Sequence, residues 1–307
     1  MAGWTLEPTY SDLAEDFGSL EAVFALQGER LTRDPLSEVV RVQRAGVNYY
    51  VKRYVGAGKG LRRYLGKPRV KMEWQNLKRF AKWGIPTAEV VAWGLERRGA
   101  AYDRGAMITR ELPNTEDLAA LAERKDPKLK DRAWVDAVSQ QLAGYTRTMH
   151  DHRFTHNDLK WRNLLIYDQA RIFLIDCPNG EFWRGFWLKY RITKDLACLD
   201  KLAKYHLSNT QRLRFYMQYR QCDRLNTADK KRIRHVVRSC EGREWLIFSP
   251  MKTVLCLSAT AWALLTPCGP NSLKRWTSPI PRVAAGAACS VWISKVRVST
   301  SSARATT

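Results

Sequence analysis

The chain has 307 residues, 45% of them hydrophobic, enough for a two-lobed globular protein or two modest domains. Lys and Arg number 52 against 30 Asp and Glu, a formal net charge of +22 that favours polyanionic partners (nucleic acid, an anionic membrane, a phosphorylated substrate) and disfavours cationic ligands. Seven Cys, an odd number, occur without a CxxC pair, which points to buried or free thiols in a reducing compartment rather than to a disulfide frame or a zinc site.

The opening "MAGWTLEPTYSDLAED" has neither a basic nor an apolar leader region, so a cytoplasmic location is expected. Residues 37–42 ("SEVVRV") and 48–54 ("NYYVKRY") are β-branched and aromatic runs around "QRAG", and predict a hairpin turning at Gly46. Alternation places Tyr50, Lys52 and Tyr54 on one face of the second strand and Tyr49, Val51 and Arg53 on the other. A Gly-rich basic loop spans 56–69. In "VKMEWQNLKRFAKWG", Trp74, Leu77 and Ala81 recur at helical spacing, extended by Phe80 and Trp83 and stopped at Gly84 and Pro86. Strands are expected near 88–93 and 105–112.

From 113 the character changes. "NTEDLAALAE" predicts a helix capped by Asn114 or Thr115. Residues 132–151 predict a long amphipathic helix on Trp134, Val138, Leu142, Tyr145 and Met149. Three more helical stretches follow the segment 154–177, at "KDLACLDKLAKYHL", "NTQRLRFYMQYRQC" and "TADKKRIRHVVRSC". Strands early and helices late give an α+β, two-lobed layout: a β-rich lobe over 1–112 and a mainly helical lobe over 113–244. Residues 245–307 contain no Asp or Glu and show no clear period, which reads as an aberrant, frameshift-like extension that is poorly ordered; a weak membrane-surface contact is the alternative. The apolar run from 253 is about 14 residues, short of the roughly 20 that span a bilayer.

The segment "FTHNDLKWRNLLIYDQARIFLIDC" (154–177) carries the chemistry. Strand "LLIY", turn "DQA" and strand "RIFLID" form a hairpin that returns Asp176 to the start of the first strand, beside the loop that holds Asp158 and Asn163. Two carboxylates and an amide oxygen meeting in one place suit Mg²⁺ bound together with phosphates. With a cation nearby they supply the parts of phosphoryl transfer: an oxygen to orient and deprotonate a hydroxyl, metal ligands and charge neutralisation.

"HNDLKWRNLL" resembles the catalytic loop of protein-kinase-like enzymes, in which an Asp base precedes an Asn metal ligand by five residues. The resemblance implies Asp158 as catalytic base, Asn163 and Asp176 as metal ligands, Lys52 as the strand lysine on the ATP phosphates and Glu73 as its ion-pair partner, with Glu89 as a rival for that last role. It also implies Lys160 as a cation for the γ-phosphate, His156 as a structural support, and an adenine slot on the backbone of Arg110, Glu111 and Leu112. Asp195 is either an anchor for the loop or an ordinary helix charge. Within that fold the chain is similar to the lipopolysaccharide core kinases, the Kdo/heptose kinase family, over about residues 25–244, on "VKRY", "EWQNLKRFAKWGIPTAEVVAWG" and "HNDLKWRNLL" followed by "IDCPNG".

That resemblance implies ATP- and Mg²⁺-dependent phosphorylation of a heptose or Kdo hydroxyl of the lipopolysaccharide core, an acidic acceptor, with no nucleic-acid partner and with peripheral contact at the cytoplasmic face of the inner membrane. The basic loop 56–69 and Arg184, Lys189, Arg191 and Lys194 are candidates for the acceptor, with Trp183, Phe186 and Trp187 as stacking rings. No GxGxxG occurs; phosphate cover falls to "LTRDPLS", with Arg33 or Ser37. The metal motif reads "DCP", and no APE segment follows. A choline- or aminoglycoside-type phosphotransferase and a basic pseudokinase are the alternative readings.

Overall fold

Residues 3–55, 64, 66–167 and 170–240 are described by a computed structural model. They all belong to one compact unit, Met1–Gly242. Most of the basic loop 56–69, the middle of the 168–170 turn and the whole 245–307 tail lie outside the described residues.

Six strands form one antiparallel sheet: β1 (Gly3–Leu6), β2 (Glu29–Asp34), β3 (Ser37–Arg44), β4 (Val47–Tyr54), β5 (Val90–Arg98) and β6 (Ala101–Arg110), in the order β1-β5-β6-β4-β3-β2. The β3–β4 hairpin turns on Ala45 and Gly46, with φ of 48° and 76°. Two-residue hairpin loops need such positive φ values to match the twist of their strands. Alternation then works as expected. Tyr49 and Val51 point into a core with Phe17, Leu20 and Val23, from the short helices α1 (Ala14–Phe17) and α2 (Leu20–Ala25). Arg53 on that face gives its guanidinium to the carbonyls of Val23 and Leu26. Lys52 and Tyr54 face the other way.

Helix α3 (Arg69–Lys82) crosses that opposite face. Its buried residues are Val70, Glu73, Asn76, Leu77 and Phe80, a stripe that differs from the expected one: Ala81 is exposed. Two polar residues occupy the buried side because each has a fixed partner there, described below. Trp74 flanks the stripe and stacks on Trp93, with ring centroids 3.9 Å apart. Gly84, with φ of 70°, ends the helix.

After β6 the chain makes a short strand, β7 (Thr115–Asp117), before helix α4 (Leu118–Glu123). The expected cap at Asn114 or Thr115 is therefore corrected. Thr115 pairs with Tyr167, and Asp117 caps the helix by accepting from the Ala120 N–H at 2.9 Å. Helix α5 (Arg132–Asp151) has the predicted bounds, with Asp131 as cap. Strand β8 (Phe154–Thr155) leads into the loop 156–163, and β9 (Leu164–Tyr167) pairs with β10 (Arg171–Leu174) and β7. β10 stops two residues short of the predicted end, because Asp176 takes φ of 57° and leaves the strand. β11 (Glu181–Phe182) pairs back on β8.

Helices α6 (Gly185–His206), α7 (Asn209–Arg220) and α8 (Thr227–Cys240) complete the second lobe. Helix α6 begins nine residues before the predicted Lys194 start, taking the aromatic–basic stretch into its first turns. One continuous core joins Tyr54, Val70, Leu77 and Phe80 to Leu159, Leu164, Ile172 and Leu174, so the site below is built on residues packed from both lobes. No helix among the described residues is long and apolar enough to cross a membrane.

Candidate active site

Strand alternation on β4 aims Lys52 at α3, where Glu73 waits on the buried face. Lys52 Nζ lies 3.0 Å from the Glu73 carboxylate and 2.5 Å from Asp176 Oδ1. The Tyr54 hydroxyl donates to the same Glu73 carboxylate. Glu89 is no partner of Lys52; its carbonyl takes the Arg110 N–H instead. Burial works against the Lys52 charge, but Glu73, Tyr54 and Asp176 together hold its pKa well above the usual lysine value. Burial also pushes the Glu73 carboxyl up, against the pull of Lys52. Asp176 comes out below the usual carboxylate value: burial would raise it, and the Lys52 ammonium outweighs burial.

The β9–β10 hairpin brings Asp176 back beside Asn163, as the strand–turn–strand pattern predicts. Leu174 pairs with Leu164, and the Ile175 N–H donates to the Asn163 carbonyl at 3.0 Å. Asn163 is 3% exposed, and its Nδ2 donates to the Asp158 carbonyl at 2.8 Å. That bond fixes the amide and leaves Oδ1 as its acceptor. The Asp158 carboxylate is held by Lys160 Nζ at 2.6 Å and lies 3.5 Å from Arg162. Asp158, Asn163 and Asp176 are thus tied by hydrogen bonds to the backbone within one short stretch.

Asp195, fully buried on α6, fixes the loop from below. Its two carboxylate oxygens accept the backbone N–H groups of His156 and Asn157, each at 2.8 Å, and His150 Nε2 lies 3.3 Å away. Asn157 holds φ of 62° there, a conformation worth maintaining only where the surroundings enforce it. His156 is fully buried, stacks on Phe80 with centroids 6.0 Å apart, and has no hydrogen-bond partner at either ring nitrogen. Burial lowers its pKa despite Asp195. It supports the loop as a neutral ring.

Three contributors escaped the sequence reading. Tyr54 shares the Lys52 face by alternation, but nothing in the pattern shows that its hydroxyl meets Glu73. Asn76, one turn beyond Glu73, donates to the carbonyls of Cys177 (2.7 Å) and Gly180 (3.1 Å), tying α3 to the segment after Asp176. Gly180 makes that approach possible: a Cβ there would lie 2.3 Å from Phe154 Cζ and 2.5 Å from Cys177 Sγ. The i, i+3 spacing of Glu73 and Asn76 on a helix was the available signal.

The segment Arg110–Leu112 differs from a free linker. Arg110 ends β6, its N–H donates to the Glu89 carbonyl at 2.9 Å, and the Glu111 N–H donates to the Asn48 carbonyl at 3.0 Å. The Glu111 side chain accepts from Asn48 Nδ2 and the Tyr50 hydroxyl. The "LTRDPLS" stretch is a tight hairpin with Asp34 opposite Ser37. Ser37 pairs with Tyr54 and Val39 with Lys52, which puts Ser37 on the Lys52 face.

Among the described residues no group of three or more His, Cys, Asp and Glu gathers for a metal ion. One amide and one carboxylate, Asn163 and Asp176, are the oxygen donors at hand. Such a small set matches a hard divalent cation that takes its remaining ligands from phosphates and water.

A β-rich lobe over a helical one, with a lysine–glutamate pair on the sheet side and an Asp…Asn…Asp set on the loop side, defines a protein-kinase-like phosphotransferase. A family model described as the lipopolysaccharide kinase (Kdo/WaaP) family matches residues 20–219. The chain belongs to that family. It is 28% identical over 228 residues to the lipopolysaccharide core heptose(I) kinase WaaP of Pseudomonas aeruginosa, covering 70% of this chain and 85% of that one. It is 26% identical over 128 residues to the 3-deoxy-D-manno-octulosonic acid kinase of Vibrio cholerae, covering 40% of this chain and 51% of that relative. Among solved structures, WaaP in complex with acyl carrier protein aligns with a TM-score of 0.63 at 23% identity, over 78% of this chain and 98% of that chain; at that identity the likeness speaks for the fold.

Proposed function

We propose that this chain transfers the γ-phosphoryl group of ATP to a hydroxyl of heptose or Kdo in the lipopolysaccharide inner core. The observation that carries the reading is the convergence of Lys52, Glu73 and Asp176 by ion pairs, with Ile175, next to Asp176, bonded to the Asn163 carbonyl and Asn163 Nδ2 bonded to the Asp158 carbonyl. A binding module needs none of these four-way constraints.

In this reading Asp158 accepts the proton of the acceptor hydroxyl as its oxygen bonds to the γ-phosphorus. The bond from that phosphorus to the bridging oxygen breaks, and ADP leaves with the charge. Lys52, held by Glu73, binds the α/β-phosphates. Lys160, now paired with Asp158, neutralises the γ-phosphate. Asn163 and Asp176 hold Mg²⁺, which when bound neutralises charge on the phosphates. Adenine meets the Glu111 carbonyl and Leu112 N–H, since the N–H groups of Arg110 and Glu111 are taken. The tip between β2 and β3 covers the phosphates, with Ser37 or Arg33. Nucleotide binding falls to residues 1–112 and catalysis to 113–244.

The basic surface supports peripheral contact with an anionic membrane, where a lipid-borne acceptor resides. The test is incubation with MgATP and dephosphorylated inner-core oligosaccharide, read by mass spectrometry. Gain of one phosphate on a heptose or Kdo is expected. A folded chain that binds MgATP and phosphorylates no core sugar contradicts the reading.

A further inference from the structure

Residues 182–194 ("FWRGFWLKYRITK") carry four Lys and Arg and no Asp or Glu. The acids on either side are engaged elsewhere. Glu181 lies 3.5 Å from Lys67, and the buried Asp195 holds the backbone of His156 and Asn157. Arg184 and Lys189 are exposed, and neither forms an ion pair among the described residues.

The same stretch exposes large apolar rings. Phe186 is 71% exposed, Phe182 49% and Trp187 37%. Helix geometry accounts for the arrangement. Leu188, Ile192 and Leu196 turn α6 towards the core it shares with Ile233 and Val236 of α8. Phe186 and Lys189 are left outside, three residues apart and neighbours on the helix surface. Trp187 meets Phe186 and Tyr190 edge-on, with centroids 5.8 and 6.3 Å apart. Phe182, on the preceding strand, has the Arg79 guanidinium carbon 5.3 Å from its ring centroid.

Isolated exposed rings are ordinary, but adjacent rings rimmed by cations mark a surface that is covered in use. The two kinds of side chain call for different surroundings. Phe182 and Phe186 have no polar ring atom and gain only by leaving water. Arg184 and Lys189 gain from anions, and their long stems let the charges reach away from the rings. A soluble polyanion answers the cations and leaves the rings wet. An anionic bilayer answers both at one depth, with the headgroup–acyl boundary for the rings and the phosphate layer for the charges.

We propose that residues 182–189, with Phe186 and Trp187 at the tip and Arg184 and Lys189 as flanks, dock the chain on an anionic lipid bilayer. The peripheral contact read above from net charge thereby narrows to one short stretch. It rests on that reading for a lipid-borne acceptor, and not on the phosphoryl chemistry. Phe186, Trp187, Arg184 and Lys189, expected from sequence to meet the acceptor sugar, here meet the membrane that carries it.

The test is co-sedimentation of the full chain, without nucleotide or acceptor, with vesicles of phosphatidylcholine alone and of phosphatidylcholine mixed with phosphatidylglycerol. The wild type should bind the mixed vesicles at least about tenfold more tightly than the neutral ones. Phe186→Ala with Trp187→Ala should weaken that binding about tenfold and leave a remainder that salt releases, since only charge attraction is left. Phe186→Trp should bind as the wild type does. Arg184→Gln with Lys189→Gln should lose most of the preference for anionic vesicles. Lys130→Gln with Lys231→Gln, which removes the same charge from two exposed positions elsewhere, should keep it. All these side chains are exposed, so melting temperatures should stay near that of the wild type. Equal losses in the two charge variants, or undiminished binding by the ring variant, overturn the patch, because net positive charge then suffices. Release of the wild type from vesicles by free dephosphorylated inner-core oligosaccharide overturns it too, and returns these residues to the acceptor. The expected vesicle pattern from a chain that phosphorylates no core sugar would uphold the patch and remove the kinase reading alone.

Discussion

The Tyr54 hydroxyl donates to the Glu73 carboxylate, which also lies 3.0 Å from Lys52 Nζ. Tyr54 is 1% exposed and Glu73 3% exposed, so the carboxylate has these two donors and little access to water. Removing one donor leaves a buried acceptor under-satisfied, which costs about 1–3 kcal/mol. Tyr54→Phe should therefore lower the melting temperature and raise the KM for ATP several-fold, with a smaller change in kcat. Glu73→Ala leaves Lys52 with Asp176 as its one carboxylate partner here and takes away the acceptor of the buried Tyr54 hydroxyl, and should lower stability more than Tyr54→Phe does. Chemical denaturation alongside ATP kinetics checks both. Tyr54→Phe with unaltered KM and stability would show the hydroxyl to be incidental.

Asp195 should behave as a positioning residue. Its substitution by Asn leaves the shape but replaces one of two acceptor oxygens by a donor facing a backbone N–H. The loop then loses its fixed φ at Asn157, and Asp158 loses its register. The expected result is a fall in kcat of about 10²-fold, the scale of a modest misplacement at a reacting centre, with MgATP affinity retained. A fall in nucleotide affinity without a fall in kcat would contradict this role.

His156 predicts a pH dependence of stability. Burial lowers its folded-state pKa below the ordinary value near 6.5. Between the two values the unfolded chain binds more protons, so stability rises with pH across that window. The contribution is complete above about pH 6.5 and is lost as pH falls towards the folded-state value. Melting temperatures measured over roughly pH 8 to 5, around that reference value, should drop in the wild type on the acid side. The isosteric-sized His156→Leu variant should show a flatter profile. Parallel profiles would mean that other groups govern the acid side.

Gly180 is a packing requirement. A methyl group at this position meets Phe154, Cys177 and Asn76 within 2.3–2.9 Å. Overpacking of this kind costs about 1–3 kcal/mol. Gly180→Ala should destabilise the chain and reduce activity together, because Asn76 loses its grip on the segment after Asp176. Pairing it with Asn76→Ala should give less than the sum of the single effects, since the two residues share one contact.

Much of this arrangement was legible in the sequence because it follows from short-range rules. Alternation on "NYYVKRY" placed Lys52 opposite the Arg53 face, and a hairpin between Asn163 and Asp176 was enough to bring the two together. The family resemblance supplied Glu73, which periodicity on α3 did not. The hydrophobic stripe read there runs through Ala81, whereas the buried face carries Glu73 and Asn76. A hydrophobicity pattern cannot show a polar residue buried for a partner more than 20 residues away. The α4 start failed for a similar reason. Thr115 has the chemistry of a cap, yet a strand pairing with Tyr167 claims its backbone, and the cap passes to Asp117. At Arg110–Leu112 nothing in the local pattern marks the two N–H groups committed to Glu89 and Asn48. Long-range backbone bonds leave no local mark.

The most direct test of Asp158 as the catalytic base is transfer of label from radiolabelled ATP, with Mg²⁺, to dephosphorylated inner-core lipopolysaccharide by the wild-type chain and Asp158→Ala. The account predicts transfer by the wild type and loss of at least about 10³-fold in the variant, the scale of removing a positioned base together with its orienting role. MgATP should still raise the variant's melting temperature, since Lys52, Asn163 and Asp176 remain. Comparable transfer by a folded Asp158→Ala chain would contradict the account.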